Sequence, residues 1–168
     1  MKPPVNRTVE LHGQIDDEMA NVVIAQMLFL QMQDSRAPIT VDIDSPGGSV
    51  TASLAIVDTM DFLTPIVATR CRHMAAGTAL LILANGRKGH RSAHADSDFQ
   101  MVRLVGGTIA GSPSEARIFI ERLQRRLASL FARASGRSAQ EITSLMNDET
   151  FFSADGLLAF GMIDRVEP

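Results

Sequence analysis

The segment from Thr69 to Leu81 contains side chains that are suited to chemistry: a thiol at Cys71, an imidazole at His73 and a hydroxyl at Thr78. It runs from a strand-like segment through a short turn into small and apolar residues. Such a crossing leaves unpaired N–H groups at the start of a helix, where a ligand can bind. Gly77, which has no side chain, stands where a nucleophile is expected. The segment therefore has the setting of an active site without its central group.

Length and composition set limits on the class of protein. The chain has 168 residues, which fits a single domain over 1–168. A net charge of −3 argues against nucleic acid or an anionic membrane as the main partner. The single cysteine excludes an internal disulfide and is typical of a reducing cytosol. No signal-like run opens the chain, and no stretch approaches the roughly 18 apolar residues of a membrane helix, so we expect a cytoplasmic protein.

Hydrophobic periodicity predicts strands that alternate with helices. The predicted strands are about 8–13, 39–44, 66–69, 97–105 and 162–166. The predicted helices are about 18–33, 50–63, 75–83, 113–135 and 138–146, with a further helix opening at 151, and 84–91 is interpreted as a basic turn. Asp16 or Asp17 is the candidate cap of the first helix, Pro65 lies near the end of the second, Gly136 stops the fourth and Ser138 caps the fifth. Alternation with short loops favours βαβ units and a parallel sheet, so the predicted fold class is α/β.

The longest predicted helix has a clear start signal. Ser112 as the cap, Pro113 at the first position and Glu115 three residues after the cap form a capping box. A broad apolar face and one-sided arginine charge then continue to about Ser135. The pattern fits a helix that projects to meet a neighbouring subunit, and it fits an amphipathic helix on its own core equally well.

Several segments in chain order resemble the proteolytic subunit of the Clp protease (ClpP). They are 19–30, 42–48, 55–60, 106–107, 151–154 and 160–164. The resemblance implies a ClpP/crotonase-like core of βαβ units with a projecting handle helix, in a handle region of about 106–135. It also implies self-assembly into rings through that helix, which favours the inter-subunit interpretation of the long helix.

The same resemblance places the family's catalytic triad on residues that cannot perform its chemistry. The serine position falls on Gly77, the histidine position on Val102 and the aspartate position on Glu149, or on Asp148 if the alignment slips by one residue. A serine hydrolase needs a hydroxyl to attack, an imidazole to take its proton and a carboxylate to orient that imidazole. Glycine cannot attack and valine cannot accept a proton, so the resemblance implies an inactive subunit.

Backbone groups of the site are expected to remain. By resemblance, the oxyanion would be bound by the N–H groups of Gly48 and Thr78. Among substitute groups, Thr78 and Cys71 are candidate nucleophiles, and His73, His90 and His94 are candidate bases, with His73 best placed because it lies four residues before Gly77. No cofactor and no metal site are expected.

The sequence thus predicts a catalytically silent ClpP-like subunit with a structural or regulatory role in a ring-shaped Clp-type protease assembly, with active ClpP paralogues as further partners. One alternative is an active ATP-dependent Clp-type serine peptidase with a rearranged site, and a less favoured one is a crotonase-type acyl-thioester enzyme. Only about seven residues precede Val9, so the axial gate is expected to be short or absent. An AAA+ unfoldase is therefore the least favoured partner.

Overall fold

A computed structural model describes residues 6–104 and 112–168. Within these residues the chain forms seven strands and six helices. In chain order they are β1 Thr8–His12, α1 Asp17–Gln33, β2 Ile39–Ser45, α2 Val50–Phe62, β3 Val67–Ala76, α3 Thr78–Ala84, β4 Arg91–His94, β5 Asp98–Gln100, α4 Pro113–Ser135, α5 Ala139–Asn147, β6 Phe151–Phe152, α6 Ala154–Phe160 and β7 Arg165–Glu167.

The strands form one sheet in which parallel pairing dominates. Its order is β1-β2-β3-β4-β7, and every pair along this path is parallel. β5 pairs in parallel with β3 and antiparallel with the short β6. Alternate residues of β3, among them Val67, Thr69 and Cys71, are buried, and the seven residues of α3 are all buried. The parallel α/β architecture predicted from the sequence is confirmed.

Most helices begin at the caps that the sequence indicates. The Asp16 carboxylate accepts a hydrogen bond from the N–H of Met19 at 2.8 Å, and α1 begins one residue later, at Asp17. None of the helices in the two described ranges is long and apolar enough to cross a membrane.

The long helix α4 has the bounds and the capping box that were predicted. Its buried side chains all lie in the second half, at Leu127, Ala128, Phe131 and Ala134. The residues 113–126 include none that is buried, so the first half of α4 extends beyond the core. Residues 106–111 of the predicted handle region lie outside the described residues.

Two predictions were wrong within the segment from Thr69 to Leu81. The strand does not end at residue 69, because β3 continues to Ala76, and the helix begins at Thr78 rather than at Ala75. The sequence suggested an early end because Arg70 and Arg72 interrupt the apolar pattern. Both guanidinium groups bond to the buried Asp42 carboxylate on β2, at 2.8 Å and 2.7 Å. This pairing lets the strand continue through charged residues, and Gly77 alone forms the turn.

Other boundaries also differ from prediction. The predicted basic turn 84–91 ends in a strand, since Arg91 begins β4, and β5 spans only three residues of the predicted 97–105, of which residue 105 is not described. Phe151 pairs with β5 instead of opening a helix, and the following helix begins after the Ser153 cap. The last strand, β7, begins at Arg165 rather than at 162. Arg91 and Phe151 join the sheet by pairing with strands distant in the chain, β3 and β5 respectively.

Candidate functional site

The candidate site lies where β2 and β3 end, and its backbone there is closely packed. Gly47 has a φ of +89°, and a Cβ added to it would lie 2.6 Å from the carbonyl oxygen of Ala76. A Cβ added to Gly48 would overlap the carbonyl oxygen of Ile15. Real side chains do not tolerate these approaches, so both positions require glycine.

Hydrogen bonds from an earlier loop fix this turn. The N–H of Ile15 donates to the carbonyl of Gly47 at 3.0 Å, and the N–H of Ser49 donates to the carbonyl of Ile15 at 2.7 Å. The hydroxyl of Ser45 donates to the carbonyl of Gly13 at 2.6 Å and accepts from the N–H of Gly47 at 3.0 Å. The backbone around Gly48 is therefore held in place from two sides.

Gly77 connects β3 to α3 in a conformation that favours glycine. Its φ is 54° and its ψ is −120°, and its N–H donates to the carbonyl of Gln100 at 2.9 Å. A Cβ added at Gly77 would lie 2.9 Å from Cγ2 of Val102. The structure thus brings together the two residues that stand at the predicted serine and histidine positions, and the valine methyl occupies the space that a side chain at 77 would need.

Glu149 lies beside the same strand end. It has a φ of 51°, unusual for a residue other than glycine, and its carbonyl accepts from Nε2 of Gln100 at 3.5 Å. The neighbouring Thr150 carbonyl accepts from the N–H of Met101 at 2.9 Å, which attaches this loop to the residue before Val102. Asp148 is exposed and caps the end of α5. The three predicted triad positions therefore gather in one place, without a hydroxyl or an imidazole among them.

The predicted oxyanion donor at Gly48 already has a partner. Its N–H donates to Oγ1 of Thr78 at 3.2 Å. Thr78 is 7% exposed and is the first residue of α3. The sequence interpretation considered the backbone N–H of Thr78 as an oxyanion donor and its hydroxyl as a candidate nucleophile, and it missed the contact of that hydroxyl with Gly48.

His73 is paired with a carboxylate that sequence reasoning also missed. Its Nδ1 lies 3.1 Å from Oδ2 of Asp44, and the imidazole is 76% exposed. Strand alternation gave no signal for this pair, because the register between β2 and β3 shifts between Ile43 and Ser45. A carboxylate on Nδ1 orients an imidazole as a base, but a base alone does not cleave a peptide.

The remaining candidate groups do not complete a catalytic set. Cys71 is fully buried, and this burial raises the pKa of its thiol to about 12, so the nucleophilic thiolate is scarce at neutral pH. His90 precedes β4, whose Arg91 pairs with Thr69, so it lies toward the start of β3 and away from Gly77. Nδ1 of His94 accepts from the N–H of Asp96 at 3.3 Å.

The described ranges offer no metal-ligand cluster, and a cavity among them lies away from Gly77. Among those residues, no group of three His, Cys, Asp or Glu side chains is arranged to hold a metal ion. A cavity of about 540 Å³ opens at the opposite end of the sheet and includes none of the predicted site residues. Its lining is Met60, Asp61, Pro65, Val67, Ala84, Asn85, Gly86, Arg87, Lys88, Arg91, Arg133 and Ala134.

Comparison with protein-family models shows which family the chain belongs to. The family model described as Clp protease matches residues 5–168, which is nearly the whole chain. The mixed α/β architecture, with its parallel-dominated sheet and the helices between the strands, is the fold expected for ClpP. The chain therefore belongs to the Clp protease family.

Proposed function

We propose that the protein is a catalytically silent ClpP-like subunit with a structural or regulatory role in a ring-shaped Clp-type protease assembly. The observation that carries this proposal is that Cγ2 of Val102 lies 2.9 Å from the place that a Cβ on Gly77 would occupy. The residue at the nucleophile position has no side chain, and the residue at the base position fills the adjoining space with a methyl group.

The chemistry that remains is too weak for a protease. Proteases without triad members retain roughly 10³–10⁴-fold catalysis over water, which comes from the oxyanion site and substrate binding. Here the Gly48 N–H that would serve that purpose is bonded to Thr78. Glu149 supplies a carboxylate, which in a Ser-His-Asp triad orients the base, but Val102 is not a base. We infer that the protein does not turn over peptides and needs no cofactor.

One observation favours the second candidate, a peptidase with rearranged groups. The Asp44–His73 pair resembles the acid and base of a hydrolase. Its missing partner is a nucleophile, because Cys71 is buried with a raised pKa and the Thr78 oxygen already accepts from Gly48. If this candidate is correct, the purified protein hydrolyses peptides and His73→Ala abolishes that activity. Acyl-CoA binding detected by calorimetry would instead favour the crotonase-type alternative.

The assembly role rests on the family and on α4. Membership of the Clp protease family suggests ring-like oligomers. The projecting half of α4 exposes apolar side chains, with Ile118 at 56% and Phe119 at 42% exposure. Exposed apolar groups on a projecting helix fit contact with another subunit. We propose as partners other copies of this chain and serine-bearing ClpP paralogues in the cytoplasm.

Native mass spectrometry with a peptidase assay tests this proposal. The protein is measured alone and after mixing with a serine-bearing Clp protease subunit, and fluorogenic peptide hydrolysis is recorded for each assembly. We expect rings in at least one sample, with hydrolysis proportional to the number of serine-bearing subunits. Peptide hydrolysis by the protein alone would contradict catalytic silence, and a monomer in both samples would contradict the assembly role.

A further inference from the structure

We propose that the side chain of Thr78 closes the oxyanion site, so that a substrate carbonyl cannot bind at Gly48 even when a nucleophile is rebuilt beside it. This inference rests on the proposed function and concerns the same site. It adds a second cause of inactivity, one that does not depend on the missing serine and histidine.

The hydroxyl oxygen of Thr78 occupies the position in which a substrate carbonyl oxygen would accept a hydrogen bond from Gly48. Oγ1 of Thr78 lies 3.2 Å from the nitrogen of Gly48 and accepts its N–H. This oxygen belongs to the residue whose own N–H is the second expected oxyanion donor. A carbonyl that approaches Gly48 must therefore displace the hydroxyl before it can accept a hydrogen bond.

The surroundings keep the hydroxyl where it is. A Cβ added to Gly47 would lie 3.3 Å from Oγ1 of Thr78, so the two turns are in close contact even with glycine at 47. Ile15 holds the turn from its other side through two backbone hydrogen bonds. Thr78 itself begins α3, whose residues are all buried, and a β-branched side chain has few rotamers there. The contact is thus part of the packed structure.

Hydrogen exchange of the Gly48 amide tests the contact directly in the otherwise unchanged protein. Thr78→Ala removes the acceptor, whereas Thr78→Ser keeps a hydroxyl at the same position and serves as the matched control. We expect NMR to show exchange of the Gly48 amide at least about tenfold faster in Thr78→Ala and nearly unchanged in Thr78→Ser. Equal exchange rates in the two variants would overturn the proposal.

A rebuilt site tests the functional consequence. Gly77→Ser with Val102→His restores a nucleophile and a base, and Thr78→Ala or Thr78→Ser is added to this pair. One oxyanion donor is worth about 10²–10³ in rate. We therefore expect a fluorophosphonate probe to label the protein with Thr78→Ala about 10²-fold faster than the protein with Thr78→Ser. Equal labelling of both forms, including none in either, would count against the proposal.

These results are separable from those that test the proposed function. Peptide hydrolysis by the unmodified protein would overturn catalytic silence whatever the exchange rate of Gly48. If the exchange rate of the Gly48 amide does not depend on residue 78, the proposal of a closed oxyanion site is wrong. Catalytic silence would then rest on residues 77 and 102 alone.

Discussion

Cγ2 of Val102 lies 2.9 Å from the place that a Cβ on Gly77 would occupy, so residues 77 and 102 share one space. Glycine at 77 leaves room for the valine methyl, and the valine in turn excludes a side chain at 77. The residues at the predicted serine and histidine positions are therefore physically coupled. A side chain added at 77 would overlap Val102 unless residue 102 also changes.

Stability measurements on Gly77→Ala test this coupling. Strain at positive φ and the overlap with Val102 should together cost about 2–4 kcal/mol of unfolding free energy. With Val102→Ala already present, the cost should fall by about 1–2 kcal/mol, because only the strain remains. Urea denaturation of the four proteins in the cycle measures both values. Gly136→Ala is the matched control, since Gly136 has a φ of +79° and nothing within 4 Å of an added Cβ. Equal costs at 77 and 136 would show that Val102 does not crowd the site.

The ion pair between the buried Arg91 and Asp164 should make the stability of the fold sensitive to acid. Its guanidinium donates to the Asp164 carboxylate at 2.9 Å and 2.7 Å, and its side chain is 3% exposed. Burial raises the pKa of Asp164, but the hydrogen bonds from Arg91 outweigh this effect and hold it below its ordinary value of 3.8. A lowered folded-state pKa contributes stability above 3.8, and this contribution is lost as the pH falls below that value toward the folded pKa.

Asp164→Asn should therefore cost about 3 kcal/mol at pH 7, because it leaves a buried guanidinium without its charge partner. The difference in unfolding free energy between this variant and the unmodified protein should decrease below about pH 4, because Asp164 becomes protonated there. Urea midpoints from pH 7 to pH 3 measure both effects. Asp58→Asn is the control, since the pair of Asp58 with Arg126 is exposed and should be worth less than about 1 kcal/mol. A constant difference across this pH range would contradict the account.

Cys71 should be chemically silent in the folded protein. It has no exposed surface, and burial raises its pKa to about 12, so a thiol reagent should react only after unfolding. Reaction with a disulfide dye at pH 8 should be at least about 10³-fold slower than that of an added cysteine at the exposed Ser114. Fast labelling of Cys71 in the native protein would show that the thiol is accessible, and Cys71 would again be a candidate nucleophile.

The projecting half of α4 should contribute to assembly more than to folding. Ile118→Glu places a charge on an exposed apolar position and should change unfolding free energy by less than about 0.5 kcal/mol. If the proposed assembly is correct, it should shift the oligomer toward smaller species in analytical ultracentrifugation. Ser114→Glu adds the same charge at an exposed polar position of the same helix and should leave the mass unchanged. An unchanged mass for Ile118→Glu would remove this surface from the assembly proposal.

Local signals in the sequence were sufficient for α1, α2, α4 and α5. The Ser112–Glu115 capping box marked the start of α4, and Gly136, in the left-handed region, directly follows its last residue, Ser135. Asp16 similarly marked the start of α1, and Pro65 marked the end of α2 to within a few residues. Such signals involve neighbours in the chain, and a single sequence contains them.

Features that depend on distant partners could not be predicted in the same way. Arg91 was interpreted as part of a solvated turn because its partner, Asp164, follows 73 residues later. The charge of Arg70 suggested that β3 ends before it, because the sequence does not show its partner, Asp42, which lies on another strand. In the candidate site, residue types alone predict that a nucleophile and a base are missing, whereas the bond from Gly48 to the side chain of Thr78 required three-dimensional structure.

Catalytic silence is tested most directly by intact-protein mass spectrometry after treatment with a fluorophosphonate probe, with a serine-bearing Clp protease subunit in the same tube as the positive control. The account predicts that the control gains one probe mass per chain while this protein keeps its unmodified mass. A probe mass on this protein, mapped to any residue of the native chain, would contradict the central claim.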